Sequence, residues 1–199
     1  MRSYTILPKS KIGDWNDVPV AHIDTRLWTS EIDIAATAQA CYDSQALYLR
    51  LTAKEKNIRA EEKGPIGIPC KDSCLEFFFS PVEGDARYFN VEFNPEACMF
   101  LGFGTCRYDS TRLLLKPSNN FNPCSVRTED GWEITYQIPF AFIKLFFKGF
   151  VAASGKKMRA NFYKCGDLTV QEHYFSWNPI NTPTPDFHRP DCFGELIFG

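Results

Sequence analysis

Long apolar runs, basic clusters and histidine are all scarce in this chain, and each shortage removes a class of function. No stretch reaches the ~18 apolar residues of a membrane-spanning helix. The opening MRSYTILPKSKIGDW lacks the apolar heart of a secretory leader; this reads as a cytoplasmic protein, or as a secreted one whose leader has been trimmed. Lys and Arg number 22 against 24 Asp and Glu, a net charge of −2. They are scattered, so neither nucleic acid nor a membrane is an expected partner. The three His stand apart from the eight Cys, and no pair falls in Cys-x-x-Cys spacing, so spacing predicts no zinc centre. The thiols read instead as free, small apolar residues. Gly102-x-Gly104 lacks the third glycine and the helix of a phosphate loop. No Gly-x-Ser-x-Gly elbow is present, and His173 and His188 have no evident catalytic partners.

Aromatic side chains are abundant: 18 Phe, 8 Tyr and 4 Trp make up 15% of the 199 residues. Most sit in short runs that alternate apolar and polar residues, the period of a half-buried strand. Such runs cover residues 4–6, 34–42, 46–53, 73–80, 87–94, 97–103, 132–138, 157–165, 173–177 and 193–198. Leu113-Leu114-Leu115 is a candidate edge strand. Asp43-Ser44-Gln45 supplies turn chemistry between two runs, as does Asp130-Gly131 ahead of another. A single helix is expected over 140–147, with Pro139 at its start and Gly149 past its end. About ten short strands and one short helix predict an all-β fold. The architecture expected is a two-sheet antiparallel β-sandwich, jelly-roll or immunoglobulin-like, in one domain over residues 1–199.

The stretch 70–94 is the densest in signal. Leu75, Phe77 and Phe79 share one face of the first run, with Cys74, Glu76 and Phe78 on the other. Phe89, Val91 and Phe93 share a face of the second, opposite Tyr88, Asn90, Glu92 and Asn94. Parity allows two registers, which put Glu76 opposite either Asn90 or Glu92. Facing carboxylates repel, so Asn90 is the expected partner unless a ligand or cation lies between the acids. In either register a polar face backs the core and is expected to carry the function.

That face favours binding over catalysis. Asp72 and Glu76 lie about 13 Å apart along a strand, too far for the roughly 5–9.5 Å of a glycosidase pair. Glu76 with Glu92 across the hairpin keeps a glycoside hydrolase as a third reading. Glu76, Asn90, Arg159, Asn161 and Asn178 offer donors and acceptors suited to sugar hydroxyls. Trp177, between a short strand and a Pro-rich segment, reads equally as a stacking platform for a sugar ring or as a plug in the core.

Several motifs carry a resemblance. Lys71-Asp72-Ser73-Cys74-Leu75-Glu76-Phe77-Phe78 is followed by Tyr88-Phe89-Asn90-Val91-Glu92-Phe93-Asn94, then by Gly131-Trp132-Glu133-Ile134. His173-Tyr174-Phe175-Ser176-Trp177-Asn178-Pro179 and Phe187-His188-Arg189-Pro190 come near the end. In this order they resemble family 9 carbohydrate-binding modules, relatives of the DOMON-like folds, in their small stand-alone form. The resemblance implies non-catalytic binding of a sugar end, with Trp177 as one stacking ring and Glu76 as the acid that hydrogen-bonds the sugar. It also implies a second Trp at or near Cys70, which is not aromatic. That departure supports a rival reading: a structural or interaction domain whose sugar site has degenerated. Calcium is a structural ion of the family, with no ligands assignable here. Met99 and Met158 fall on expected core faces, which argues against the haem of some DOMON-like relatives.

Overall fold

The computed structural model describes residues 1–115 and 121–199. Among them, fourteen strands follow in chain order: β1 (Ser3–Pro8), β2 (Ala21–His22), β3 (Thr25–Leu27), β4 (Ala35–Tyr42), β5 (Ala46–Lys54), β6 (Cys74–Ser80), β7 (Tyr88–Phe93), β8 (Met99–Gly104), β9 (Thr111–Arg112), β10 (Cys124–Arg127), β11 (Gly131–Pro139), β12 (Lys157–Gly166), β13 (His173–Ser176) and β14 (Gly194–Phe198). A short helix, α1 (Phe140–Phe146), follows β11. Strand hydrogen bonds trace one curled path, β10-β11-β5-β4-β1-β14-β12-β6-β7-β8-β9, with β2 on β4, β13 on β12 and β3 on β13. The all-β sandwich expected from periodicity is the fold found.

Two details differ from that expectation. The sheet is mixed: β1 runs parallel to β14 through Ser3–Ile6, then parallel to β4 through Leu7 and Pro8. One strand therefore joins the two layers. The added strands β2, β3, β9 and β10 are two to four residues long, too short to show a period of two. Thr111 and Arg112 form the edge strand at β8, whereas Leu113–Leu115 lie outside any strand.

Alternation decides what is buried between the layers. Leu47, Leu49 and Leu51 of β5 and Ile134 and Ile138 of β11 point inward. They meet Phe77, Phe79, Phe89, Val91, Phe93 and Phe162 from the other layer. Each such side chain gains ~1.5–3 kcal/mol from leaving water. At one end of the core α1 lays Phe142 on Phe89, with ring centroids 5.2 Å apart. Pro139 supplies the extended residue that opens α1.

A charged network crosses this core. The buried Lys164 Nζ of β12 lies 3.2 Å from Glu55 Oε1 and 2.7 Å from His173 Nε2. Glu55 also accepts from Trp132 Nε1 at 2.7 Å and from Ser73 Oγ at 3.0 Å, so its lone pairs are matched by donors as a buried carboxylate requires.

The register of β6 against β7 is the one that sequence argued against. Leu75 pairs with Phe93, Phe77 with Val91 and Phe79 with Phe89, which puts Glu76 opposite Glu92 and Phe78 opposite Asn90. Packing of these apolar pairs outweighs the repulsion between two carboxylates. The outer face of β6 is not open either, since every residue of the strand is buried. A second apolar cluster roofs it, built from Phe78, Tyr88, Tyr163, Ile180 and Phe193, with Trp28, Tyr174 and Phe187 packed against them.

Candidate functional site

A gap in this roof forms a cleft of about 110 Å³. Glu76 and Phe78 of β6, Glu92 of β7 and Cys165 of β12 line it from the sheet. Tyr174 of β13 also lines it, and Trp28, Pro185 and Phe187 line it from the segments folded over the sheet, together with Arg107, Asp167, Asp186 and His188. Cys70 lines it as well, at the place where the resemblance calls for a Trp. The two widest hollows among the described residues, of about 510 and 620 Å³, include Trp15 and Tyr48 in one and Lys54 and Arg127 in the other. Neither combines aromatic walls with converging buried carboxylates.

The rings of the wall hold one another. Trp28 lies 5.7 Å from both Tyr174 and Phe187, and its Nε1 donates to Thr182 O at 2.7 Å. Phe187 stacks on Tyr163 at 4.1 Å and 8°. Trp28 adopts a left-handed backbone, φ 53°, a conformation costing a non-glycine residue on the order of 1 kcal/mol. His188 closes the far side, its Nδ1 2.7 Å from Tyr88 Oη. Burial holds its ring down to about 4, so it is neutral near pH 7.

Charge is concentrated on the floor. Glu76 accepts from Cys165 Sγ at 2.9 Å, and Glu92 accepts from Asn90 Nδ2 at 2.8 Å. Burial, followed by repulsion from Glu92, pushes the Glu76 carboxyl well above its ordinary range. Burial also lifts Glu92, to about 7, and raises Asp167. The two glutamates are therefore not two fixed anions near pH 7.

Of the six residues singled out in the sequence, Glu76 alone lines the cleft. Trp177 is not a platform: it is 4% exposed and lies edge-on to Phe162 at 5.8 Å. A Cβ at Gly194 would lie 2.4 Å from its ring, so the indole fills the core up to the backbone of β14. Asn161 accepts from Asn178 N and donates to Asn178 O, both at 2.8 Å. Asn178 accepts from Arg2 N and donates to Cys192 O. Arg159 donates to Phe193 O and Gly194 O. These three residues bind the last segment to the sheet rather than line the cleft. Asn90 is fully buried against Gly102 and reaches the site only through Glu92. The wall residues Trp28, Tyr174 and Phe187 were not among the candidates: strand parity says nothing about Trp28 and Phe187, which lie outside the strands, and Tyr174 of β13 falls on the opposite parity of its run from Trp177. Tyr174 and Phe187 do sit within the motifs quoted above; Trp28 carries no comparable signal.

Calcium gains no support from the clusters of acidic, His and Cys side chains among the described residues. The group of three or more Asp, Glu, His or Cys side chains with converging ligand atoms is Cys74, Glu76 and Cys165, and two thiols are poor ligands for an ion that takes oxygen. Catalysis by Glu76 and Glu92 is disfavoured too. Both rise from one floor, while glycoside hydrolysis needs its two carboxyls flanking the scissile bond.

The cleft thus joins aromatic walls and hydrogen-bonding acids on a curled β-sandwich. The chain belongs to carbohydrate-binding family 9, whose profile matches residues 9–198; the modules of this family are non-catalytic. A protein from Bacteroides uniformis provisionally described as carbohydrate-binding superposes with a TM-score of 0.82 at 27% identity, over 100% of this chain and 98% of that one. A family 9 module from Caldicellulosiruptor kristjanssonii in complex with glucose gives 0.66 at 12% identity, over 100% and 96%. The same organism's module with cellotriose gives 0.65 at 12%, over 99% and 93%. No curated protein matches the sequence.

Proposed function

We propose that the cleft binds the terminal ring of a glucose-type oligosaccharide without converting it. The observation that carries this reading is the meeting of Trp28, Tyr174 and Phe187 with Glu76, Glu92 and Asp167 in one hollow. Pyranose rings present flat C–H faces to aromatic walls and hydroxyls that both donate and accept. A carboxyl held near the point of half-protonation can do either in return. The hollow is smaller than the ~300 Å³ of common ligand pockets, which suits one ring at a chain end rather than a run of sugars. Support comes from the fold-level neighbours solved with glucose and with cellotriose.

Calorimetric titration with glucose, cellobiose and cellotriose tests the proposal. Binding in the millimolar to micromolar range is expected, with similar affinity for all three because one ring carries the contacts. Removing a stacked ring that shields ~60 Å² on each partner costs about 3 kcal/mol at ~25 cal/mol/Å², so Trp28→Ala should weaken binding on the order of 100-fold. An absence of glycan binding by the folded protein would instead favour a structural domain with a degenerate sugar site.

A further inference from the structure

We propose that Cys74, Glu76 and Cys165 form a site for a thiophilic divalent cation of the zinc class, at the floor of the cleft. Sequence spacing hides it, because 91 positions separate the two thiols. The sheet removes that distance: Cys74 of β6 and Cys165 of β12 are direct cross-strand partners. Glu76 lies two residues beyond Cys74 on the same face, and the ligand atoms of all three lie within 4.8 Å of one another. Tetrahedral thiolate ligands at ~2.3 Å from zinc sit about 3.8 Å apart, so a shift of about 1 Å or less closes the set. Cys165 Sγ and Glu76 already touch through a hydrogen bond.

A second, independent observation asks for a cation. Glu76 faces Glu92 directly across the ladder, and Asp167 lines the same hollow. Among the described residues none of these three carboxylates has a Lys, Arg or His ion-pair partner. With no basic partner, whatever negative charge these carboxylates carry is left uncompensated, and a cation between the facing strands would offset it. Two sulfurs and one oxygen select zinc or cadmium over calcium and magnesium. On binding, Cys74 and Cys165 each lose a proton to water, as does Glu76 where it is protonated, and the two thiolates and the carboxylate face a dication. Glu76 and Cys165 line the cleft while Cys74 is fully buried behind them, so an ion would arrive from the cleft side.

The site shares Glu76 with the cleft proposed for sugar but does not depend on that reading, and its test uses no sugar. The reduced, metal-free full chain is titrated with Co2+, whose thiolate charge-transfer and intense tetrahedral d–d bands report coordination. One equivalent should bind, and Zn2+ should displace it. The bands should be lost in Cys74→Ser and in Cys165→Ser but kept in Cys192→Ser, whose thiol lies outside the group. If the first two variants fold poorly, alkylation of the unaltered protein decides instead: Zn2+ should protect Cys74 and Cys165 and leave the exposed Cys106 and Cys124 reactive. Absence of thiolate bands, bands that survive both substitutions, or alkylation of Cys74 and Cys165 unchanged by Zn2+ would overturn the site.

Discussion

The cost of removing Trp177 follows from what its ring touches. The indole is 4% exposed and packs on Phe162 and on the backbone at Gly194, so Trp177→Ala leaves a cavity and should cost about 3–5 kcal/mol of folding free energy. Urea unfolding would measure it, and a loss under ~1 kcal/mol would contradict the packing described. Gly194→Ala attacks the same contact from the other side. The added methyl meets both the ring and Arg2 O, an overpacking worth roughly 1–3 kcal/mol. Trp28 makes the contrast, because a half-exposed ring held by its neighbours should cost binding more than folding. Sequence left Trp177 open between platform and plug and offered Trp28 no role in binding. Both lie next to short strands, and which one ends in the core depends on the path of residues 177–193, where no periodicity exists to read. Glu76 was legible because it sits inside a clean alternation.

At the scale of elements, β12 and β13 depend on a proton that must stay off His173. Its Nε2 faces the Lys164 ammonium at 2.7 Å, and its Nδ1 is 2.8 Å from Gln171 O, so the neutral ring donates from Nδ1 and accepts at Nε2. Burial, and then the Lys164 charge, push its value from 6.5 down to about 4. The folded-state value lies below the unfolded one, so the unfolded chain takes up the proton first. The stabilisation is complete above about pH 6.5 and is lost as pH falls towards 4, on the order of 3 kcal/mol in total. His173→Gln keeps an acceptor for Lys164 and does not titrate; comparing its unfolding with that of the unaltered protein at pH 7 and pH 4.5 isolates this contribution. A difference that does not change with pH would show that His173 carries no such linkage. The strand period made β12 and β13 readable as elements. The Glu55–Lys164–His173 network was not, because parity places Lys164 on the face it shares with Phe162, where a charge is unexpected. The register of β6 on β7 misled for a related reason: repulsion between Glu76 and Glu92 is a pairwise term, and the aromatic ladder beside it outweighs it.

For the molecule as a whole, β1 decides how the layers unfold. It pairs with β14 through Ile6 and with β4 from Leu7 onward, and Tyr4 Oη both accepts from Ala40 N and donates to Pro19 O. Neither layer keeps its edge without it, and both bury their inner residues in one continuous core. A single cooperative transition is therefore expected rather than two. Cysteines report on this without added probes, since all eight are free and Cys41 and Cys74 are buried in different layers. In the presence of a chelator, native-state thiol labelling of Cys41 and of Cys74 should require the same opening free energy, equal to that of global unfolding. Exposed Cys106 and Cys124 should label without any opening. Deleting residues 1–8 removes the shared strand, and the truncated chain should lose near-ultraviolet dichroism while labelling Cys41 and Cys74 at the rate of an unfolded peptide. If Cys41 instead labels well before Cys74 in the intact chain, the two layers open separately and β1 is a tether rather than a joint.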